Sequence, residues 1–270
     1  MDAKPDLFRL RHFSVRRLSQ EDLLAAQPVY HIGQGKIGIL CLHGFTVTPA
    51  SFYKYGRVFM QKGYSVSIPM LPGHGETPEA LSKIKWTEWL DCTIENYDIL
   101  RKKCDHVFVM GSSLGGVLAL QLATLRNDVT KLFLLAPAIE PSPLFKIGKC
   151  LFGFFDLIKV RYWFHIAGDT KNPNLYEIGY KRTPLSALSE LYDCIQQAQL
   201  ILPQVHTDTL IFQARTDHET DPKGAEVTYQ KISSRNKEIV WLDNSYHAIT
   251  QDYCGKEVLD RVLREISRFT

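Results

Sequence analysis

Long apolar runs are missing from this 270-residue chain, and no segment offers the roughly 18 uncharged apolar residues that a membrane-spanning helix needs. Cysteine is sparse and irregular. Cys41, Cys92, Cys104, Cys150, Cys194 and Cys254 form no C-x-x-C pair and no even spacing, which excludes a metal-binding or disulfide framework and points to a reducing compartment. Neither sign of charge dominates: 32 basic residues face 29 acidic ones, a net charge of +3, so nothing in the balance implies a nucleic-acid partner. The N-terminal stretch MDAKPDLFRLRHFSVRRLSQEDLL carries charges throughout and lacks the apolar stretch of a signal peptide, so a cytoplasmic protein is expected. Internal repeats and low-complexity tracts are also absent.

What is present is an ordinary globular composition, 45% hydrophobic and 23% charged, at a length suited to one large domain with an insertion. Short runs rich in Val, Ile, Leu and Phe recur near 37–42, 64–69, 106–111, 131–136, 209–214 and 238–242. Hydrophobicity this continuous predicts strands covered on both faces. Helix-period stretches lie between them, near 51–62, 86–103, 114–125, 187–200, 222–232 and 254–269. In the last of these Val258, Leu259, Val262, Leu263, Ile266 and Phe269 share one stripe. The alternation predicts an α/β fold, a mostly parallel central sheet with helices on both faces. Residues 37–140 and 187–270 read as its core. Residues 1–36 read as an N-terminal extension in which Pro28 to His31 adds an edge strand. Residues 141–186, too long for a connection and too apolar for a linker, read as a small inserted cap.

One motif carries chemistry. After the run Val107 to Met110 the chain reads Gly111-Ser112-Ser113-Leu114-Gly115-Gly116 and passes into the helical pattern VLALQLATL. This is G-x-S-x-G in the strand-turn-helix setting of a nucleophile elbow. So tight a turn strains the serine backbone and tolerates only glycine two residues to either side, which selects Ser113 over Ser112. Leu114 opens the following helix, and its N–H faces the place where an acyl oxygen would gain charge.

A serine hydroxyl needs a base, and the base needs a carboxylate to hold its tautomer. In sheet-borne hydrolases the chain order is Ser, Asp or Glu, then His. Asp217 follows the strand TLIFQA and His247 follows the strand EIVWL, both at the carboxyl ends where Ser113 emerges. His218 neighbours Asp217 too closely to pair with it easily, and His206 lies at the wrong end of its strand. Asp221 reads as a helix cap, and Asp243 sits too near His247 in sequence. A second oxyanion donor is expected after the first core strand, in His43-Gly44-Phe45, with Phe45 N–H as the candidate. Pro72-Gly73-His74-Gly75 reads as a rigid turn with a structural His74. Gly33-Gln34-Gly35-Lys36-Ile37-Gly38 fits G-x-G-x-x-G but runs into a strand, so it is no dinucleotide loop.

Several segments go further than these motifs. HGFTVTPASF, the stretch from Gly63-Tyr64 to PGHG, WTEWL, GSSLGG and NSYHAITQDY resemble the bacterial monoacylglycerol lipases and the related small carboxylesterases. The similarity runs from about Ile37 to the C-terminus and includes Lys171 to Glu177 and Tyr180 to Pro184. The resemblance implies an α/β-hydrolase fold, a triad of Ser113, Asp217 and His247, and oxyanion donors at Phe45 and Leu114. It also implies that Glu177 meets the glycerol hydroxyls and Ile166 lines the acyl path. No close match covers Pro141 to Arg161.

The cap stretch Pro143 to Gly168 holds seven aromatics and four Lys or Arg, which suits an apolar lid whose basic rim makes transient contact with a membrane surface. The expected activity is therefore hydrolysis of a lipid ester by a serine esterase that requires no metal or organic cofactor, with oligomeric state left open. Two rivals are a general carboxylesterase for short acyl or aromatic esters and a non-catalytic scaffold for a hydrophobic ligand. Since His247 must be neutral to act as base, activity is expected to rise through roughly pH 6 to 7.5, near the free imidazole value.

Overall fold

The computed structural model describes residues 18–141, 161–164 and 168–270. The basic arm from Leu7 to Arg17, positions 142–160 and 165–167 of the expected cap, and with them Ile166, lie outside the described residues. Strands form where the apolar runs lie: β1 (Val29–His31), β2 (Ile37–Leu42), β3 (Ser65–Ile68), β4 (His106–Ser112), β5 (Val129–Leu135), β8 (Thr209–Ala214) and β9 (Lys237–Leu242). They build a seven-stranded sheet in the order β1-β3-β2-β4-β5-β8-β9. Only the edge strand β1 is antiparallel, as Pro28 to His31 suggested.

Because successive side chains on a strand point to opposite faces, each buried strand feeds two cores. Leu40, Leu42, Val107, Val109, Leu132, Leu134 and Ile211 pack on one side with helices α4 (Trp86–Arg101), α5 (Leu114–Leu125), α6 (Leu185–Ile201) and α7 (Lys223–Lys231). Ile39, Cys41, Phe108, Met110, Phe133, Leu135, Leu210 and Phe212 pack on the other with α2 (Ala50–Gln61) and α8 (Gly255–Ile266). Val258, Val262 and Ile266 form the buried stripe of α8, while Leu259 and Leu263 flank it. Phe269 leaves that stripe in a terminal 3-10 turn and sets its ring against His106 and Phe108.

Two short helices escape the periodicity reading because each spans about one turn and is defined by its cap. In α1 (Gln20–Ala25) the Ser19 hydroxyl accepts from Asp22 N–H, and in α3 (Pro78–Leu81) Thr77 accepts from Ala80 N–H. Within the expected insertion, β6 (Tyr162–Phe164) and β7 (Arg182–Pro184) pair as a separate antiparallel ribbon outside the main sheet.

Topology decides where a ligand can sit. From β2 the chain crosses to β3 on one side, then returns to place β4 on the other side of β2. The loops after β2 and β4 therefore diverge and leave a crevice at their carboxyl ends, the usual binding place in such sheets. Register keeps these ends level, with Leu42 beside Gly111, Ser112 beside Leu135, and Ala214 beside Leu242.

Near the start of β5, the nearly inaccessible Glu265 of α8 binds Lys131 at 2.8 Å, Arg268 at 2.9 Å and Arg261 at 3.2 Å. Removing the acid would leave the half-sheltered Lys131 ammonium unpaired. Glu265→Ala should therefore lower the unfolding free energy by about 2–3 kcal/mol in urea titrations while leaving kcat unchanged, since the network is remote from the carboxyl edge.

Candidate active site

Ser113 follows the strand and precedes the helix with φ 53° and ψ −114°, a positive-φ conformation rare for a residue with a side chain. The turn is closed from both sides. A Cβ on Gly111 would lie 2.1 Å from the Gly115 carbonyl oxygen, and one on Gly115 would lie 2.0 Å from the Leu42 carbonyl oxygen. Both glycines are thus required by backbone approach, as G-x-S-x-G predicts. Ser113 N–H donates to Leu135 O at 3.0 Å and fixes the elbow to β5. Leu114 is the first residue of α5, so its N–H has no acceptor within the helix.

Asp217 and His247 meet. His247 Nδ1 lies 2.8 Å from Asp217 Oδ2, with both side chains almost fully enclosed. The same carboxylate accepts from Gln213 Nε2 at 3.1 Å, Thr220 Oγ1 at 3.0 Å, and the Glu219 and Thr220 N–H groups at 2.9 Å each. So many donors hold it ionised. Burial alone would raise its pKa, yet His247 and these hydrogen bonds bring it below the ordinary value. His247 shows the mirror image. Burial disfavours its cation, but Asp217, Glu219 and Glu177 together outweigh that and raise its pKa.

The other acids and histidines lie elsewhere, and the cap residue of α7 is Pro222 rather than the expected Asp221, which precedes it. Asp221 Oδ1 accepts from Lys223 N–H at the start of α7, and Asp243 pairs with Arg215 on the surface. His218 bonds Asp169 at 2.8 Å rather than Asp217. His206 is exposed before β8, and His74 is buried.

Behind the oxyanion candidate, Leu71 N–H donates to His43 Nε2 at 3.1 Å, which leaves the ring proton on Nδ1. That proton points to Gly44 O at 2.9 Å. Gly44 C=O and Phe45 N–H belong to one trans peptide and point in opposite directions, so His43 aims the Phe45 N–H as well. Gly44 also packs on Ser113, since a Cβ there would lie 3.4 Å from the serine Cβ. Phe45, His74 and Trp89 stack edge-on below this loop.

Glu177 is buried and meets the start of α2, where Ser51 Oγ donates to its Oε1 at 3.4 Å, while its neighbours reach the loop before it: Val47 bridges Gly179 and Tyr180 N–H donates to Thr46 O. One residue escaped the sequence reading although it had a signal. Glu219, two residues beyond Asp217, places Oε2 3.8 Å from His247 Nε2, the ring nitrogen not bonded to Asp217.

An enclosed carboxylate-imidazole pair at the carboxyl edge of a doubly covered parallel sheet, with an elbow serine leaving the same edge, defines an α/β-hydrolase. A family model described as serine aminopeptidase, S33, matches residues 34–253, and the chain belongs to that family. It is 34% identical over 241 residues to the thermostable monoacylglycerol lipase of Bacillus sp. (strain H-257), covering 89% of this chain and 94% of the relative. A carboxylesterase of Bacillus subtilis (strain 168) is 27% identical over 222 residues, 81% of this chain and 87% of its own. Among solved structures, one from work on LipS and LipT, two metagenome-derived lipolytic enzymes, superposes with a TM-score of 0.85 at 31% identity, covering 90% of this chain and 98% of its own. The monoacylglycerol lipase of Paleococcus ferrophilus shares the fold, with a TM-score of 0.75 at 17% identity over 90% of this chain and all of its own.

Burial lowers the pKa of His43 to about 4 and that of His74 to about 3, the second aided by His43 itself. Both rings are neutral when folded and bind protons more readily when unfolded. Their contribution is complete above the unfolded value near 6.5 and is lost as pH falls toward 4, on the order of several kcal/mol for the two. His74 Nε2 has no hydrogen-bond partner among the described residues. His74→Phe should accordingly be stable at neutral pH and should flatten the fall in urea midpoint between pH 6.5 and 4.5.

Proposed function

We propose that the chain hydrolyses monoacylglycerols or closely similar lipid esters through an acyl-enzyme on Ser113. The observation that carries this reading is the 2.8 Å pairing of His247 Nδ1 with Asp217 Oδ2, set on the edge where Ser113 emerges. Ser113 Oγ attacks the ester carbonyl while His247 Nε2 takes its proton. Phe45 and Leu114 N–H groups stabilise the tetrahedral oxyanion, the first aimed by His43 and the second backed by the α5 dipole. His247 then protonates the departing glycerol oxygen and activates the water that releases the fatty acid.

Glu177 is the residue we assign to the alcohol. A buried carboxylate accepts hydrogen bonds from the free hydroxyls of a monoacylglycerol, which a methyl ester lacks. The chain's similarity to a monoacylglycerol lipase over most of its length supports this choice over short or aromatic esters. We read residues 141–186 as a cap over the core segments 37–140 and 187–270, with residues 1–36 as an extension. Ile166 belongs to that reading as an acyl contact. The basic, aromatic cap sequence supports transient contact with a lipid surface, and no helix among the described residues is long and apolar enough to cross a membrane. Free Cys41, Cys92, Cys104, Cys194 and Cys254 support a reducing, cytoplasmic setting.

Ser113→Ala should lower kcat by at least roughly 10⁴-fold on every ester tested and abolish labelling by a fluorophosphonate. Retained turnover would remove the mechanism. A panel of 1-monoacylglycerols and methyl esters of the same acids tests the alcohol assignment: Glu177→Ala should lose roughly 10- to 100-fold in kcat/KM on the glycerides alone, the worth of hydrogen bonds to a charged group. Equal loss on both series, or none, would favour the general carboxylesterase.

The three acids around His247 also move the pH expectation. With its pKa raised, the base becomes neutral later, so the acidic limb of kcat/KM should lie above 6.5, higher than the unperturbed imidazole suggests. Glu219→Gln removes a charge that favours the imidazolium and should shift this limb to lower pH. A limb unmoved in that variant would show that the Glu219 charge does not reach the base.

A further inference from the structure

Asp217 and His247 belong to loops that leave neighbouring strands, and the ladder between those strands ends at Ala214 and Leu242. Beyond that point the sheet no longer sets the distance between the two loops. An exposed Arg215–Asp243 pair still spans them at 3.1 Å, and a carboxylate from outside the sheet bridges them nearer the imidazole. Asp169 Oδ2 accepts from His218 N–H at 3.0 Å and from His247 N–H at 3.2 Å. Its Oδ1 lies 2.8 Å from His218 Nδ1, and its own carbonyl accepts from Ala248 N–H at 3.0 Å. A single residue thereby grips the position after Asp217, His247 itself and the position after His247.

The bond runs in the other direction as well. Asp252, on the His247 side, accepts from Lys171 N–H at 2.8 Å and Asn172 N–H at 3.1 Å, and also from Tyr246 N–H at 2.8 Å and Tyr253 N–H at 2.8 Å. Two carboxylates thus stitch residues 169–172 to the His247 loop, each accepting from the backbone of the other segment. Thr170 Oγ1 then ties the segment onward, reaching Leu175 O at 3.1 Å, two residues before Glu177.

We propose that Asp169 is a positioning residue for the reaction: by holding the Asp217 and His247 loops at one separation it sets the imidazole against its carboxylate, and through Asp252 it places the base and Glu177 on one rigid frame. The proposal rests on the Ser113, Asp217 and His247 reading of the site. Asp169 touches none of the reacting atoms. Besides the His218 ring, its carboxylate binds two backbone N–H groups, and a charged acceptor makes stronger bonds to them than a neutral one. Misplacing a catalytic group by a fraction of an ångström costs rate rather than binding.

The experiment compares Asp169→Ala, Asp169→Asn and Asp169→Glu in the full chain, using a water-soluble methyl ester so that Glu177 does not enter. Asp169→Ala should lower kcat roughly 10- to 100-fold with KM within about threefold. It should also broaden or remove the low-field NMR resonance of the proton between His247 Nδ1 and Asp217. Asp169→Asn keeps one oxygen able to accept from both N–H groups and should recover most of kcat and the resonance. Asp169→Glu keeps the charge but displaces the oxygens by a methylene, so a folded protein with kcat lowered about tenfold is expected, which holds the test open even where the alanine variant does not fold. Native kcat and a native resonance in a folded Ala or Glu variant would overturn the proposal. So would a loss of kcat in Asp169→Ala that matches its unfolded fraction. Failure of the triad reading is separate, since it would appear as turnover in Ser113→Ala, whatever Asp169 does.

Discussion

The close approach of the α5 N-terminus to the carboxyl end of β2 governs everything else at the edge of the sheet. With no side chain on Gly115, its backbone presses against the Leu42 carbonyl, and no residue with a Cβ fits that gap. The contact drives Ser113 into its positive-φ conformation and lifts its hydroxyl out of the sheet. It also brings the first N–H groups of a long helix beside the loop that follows β2. Strain at one residue is thus held by hydrogen bonds on both sides, from Ser113 N–H to Leu135 and from the helix back to Ser113 O.

Electrostatics around His247 are lopsided. Three carboxylates influence one imidazole, and burial alone opposes them. Asp217 is itself held ionised by five donors, so the pair stores a charge separation away from water. Two buried neutral histidines, His43 after β2 and His74 beside it, titrate far lower. The same residue type therefore does different work within one site. A ring beside carboxylates has its cation favoured, whereas a ring enclosed by aromatic and backbone groups stays neutral and holds a peptide through its one proton.

Segment 168–184 connects this machinery to the region outside the sheet. It supplies Asp169 to the loops that carry Asp217 and His247, Glu177 to Ser51 at the start of α2 and Tyr180 to both Thr46 and Gly73. Under the proposed roles, the residue that meets the alcohol and the residue that positions the base are neighbours in the chain.

Periodicity was enough to find the strands, the long helices and the carboxyl edge, because burial on both faces leaves its mark residue by residue. The elbow and the pairing order of acid and histidine were legible too, since Gly111, Gly115 and the strand ends report backbone geometry and chain order directly. Short α1 and α3 were not, as a single turn has no period to read. The roles of Gln213 and Thr220 around the acid were equally silent, and so was the clamp by Asp169 and Asp252. Local order determines which groups lie at the ends of strands, and that much follows from the order of residues alone. Which of those groups come within hydrogen-bond range depends on loops beyond the last ladder bond, where contacts between residues some 80 positions apart replace periodicity, and only the folded chain decides them.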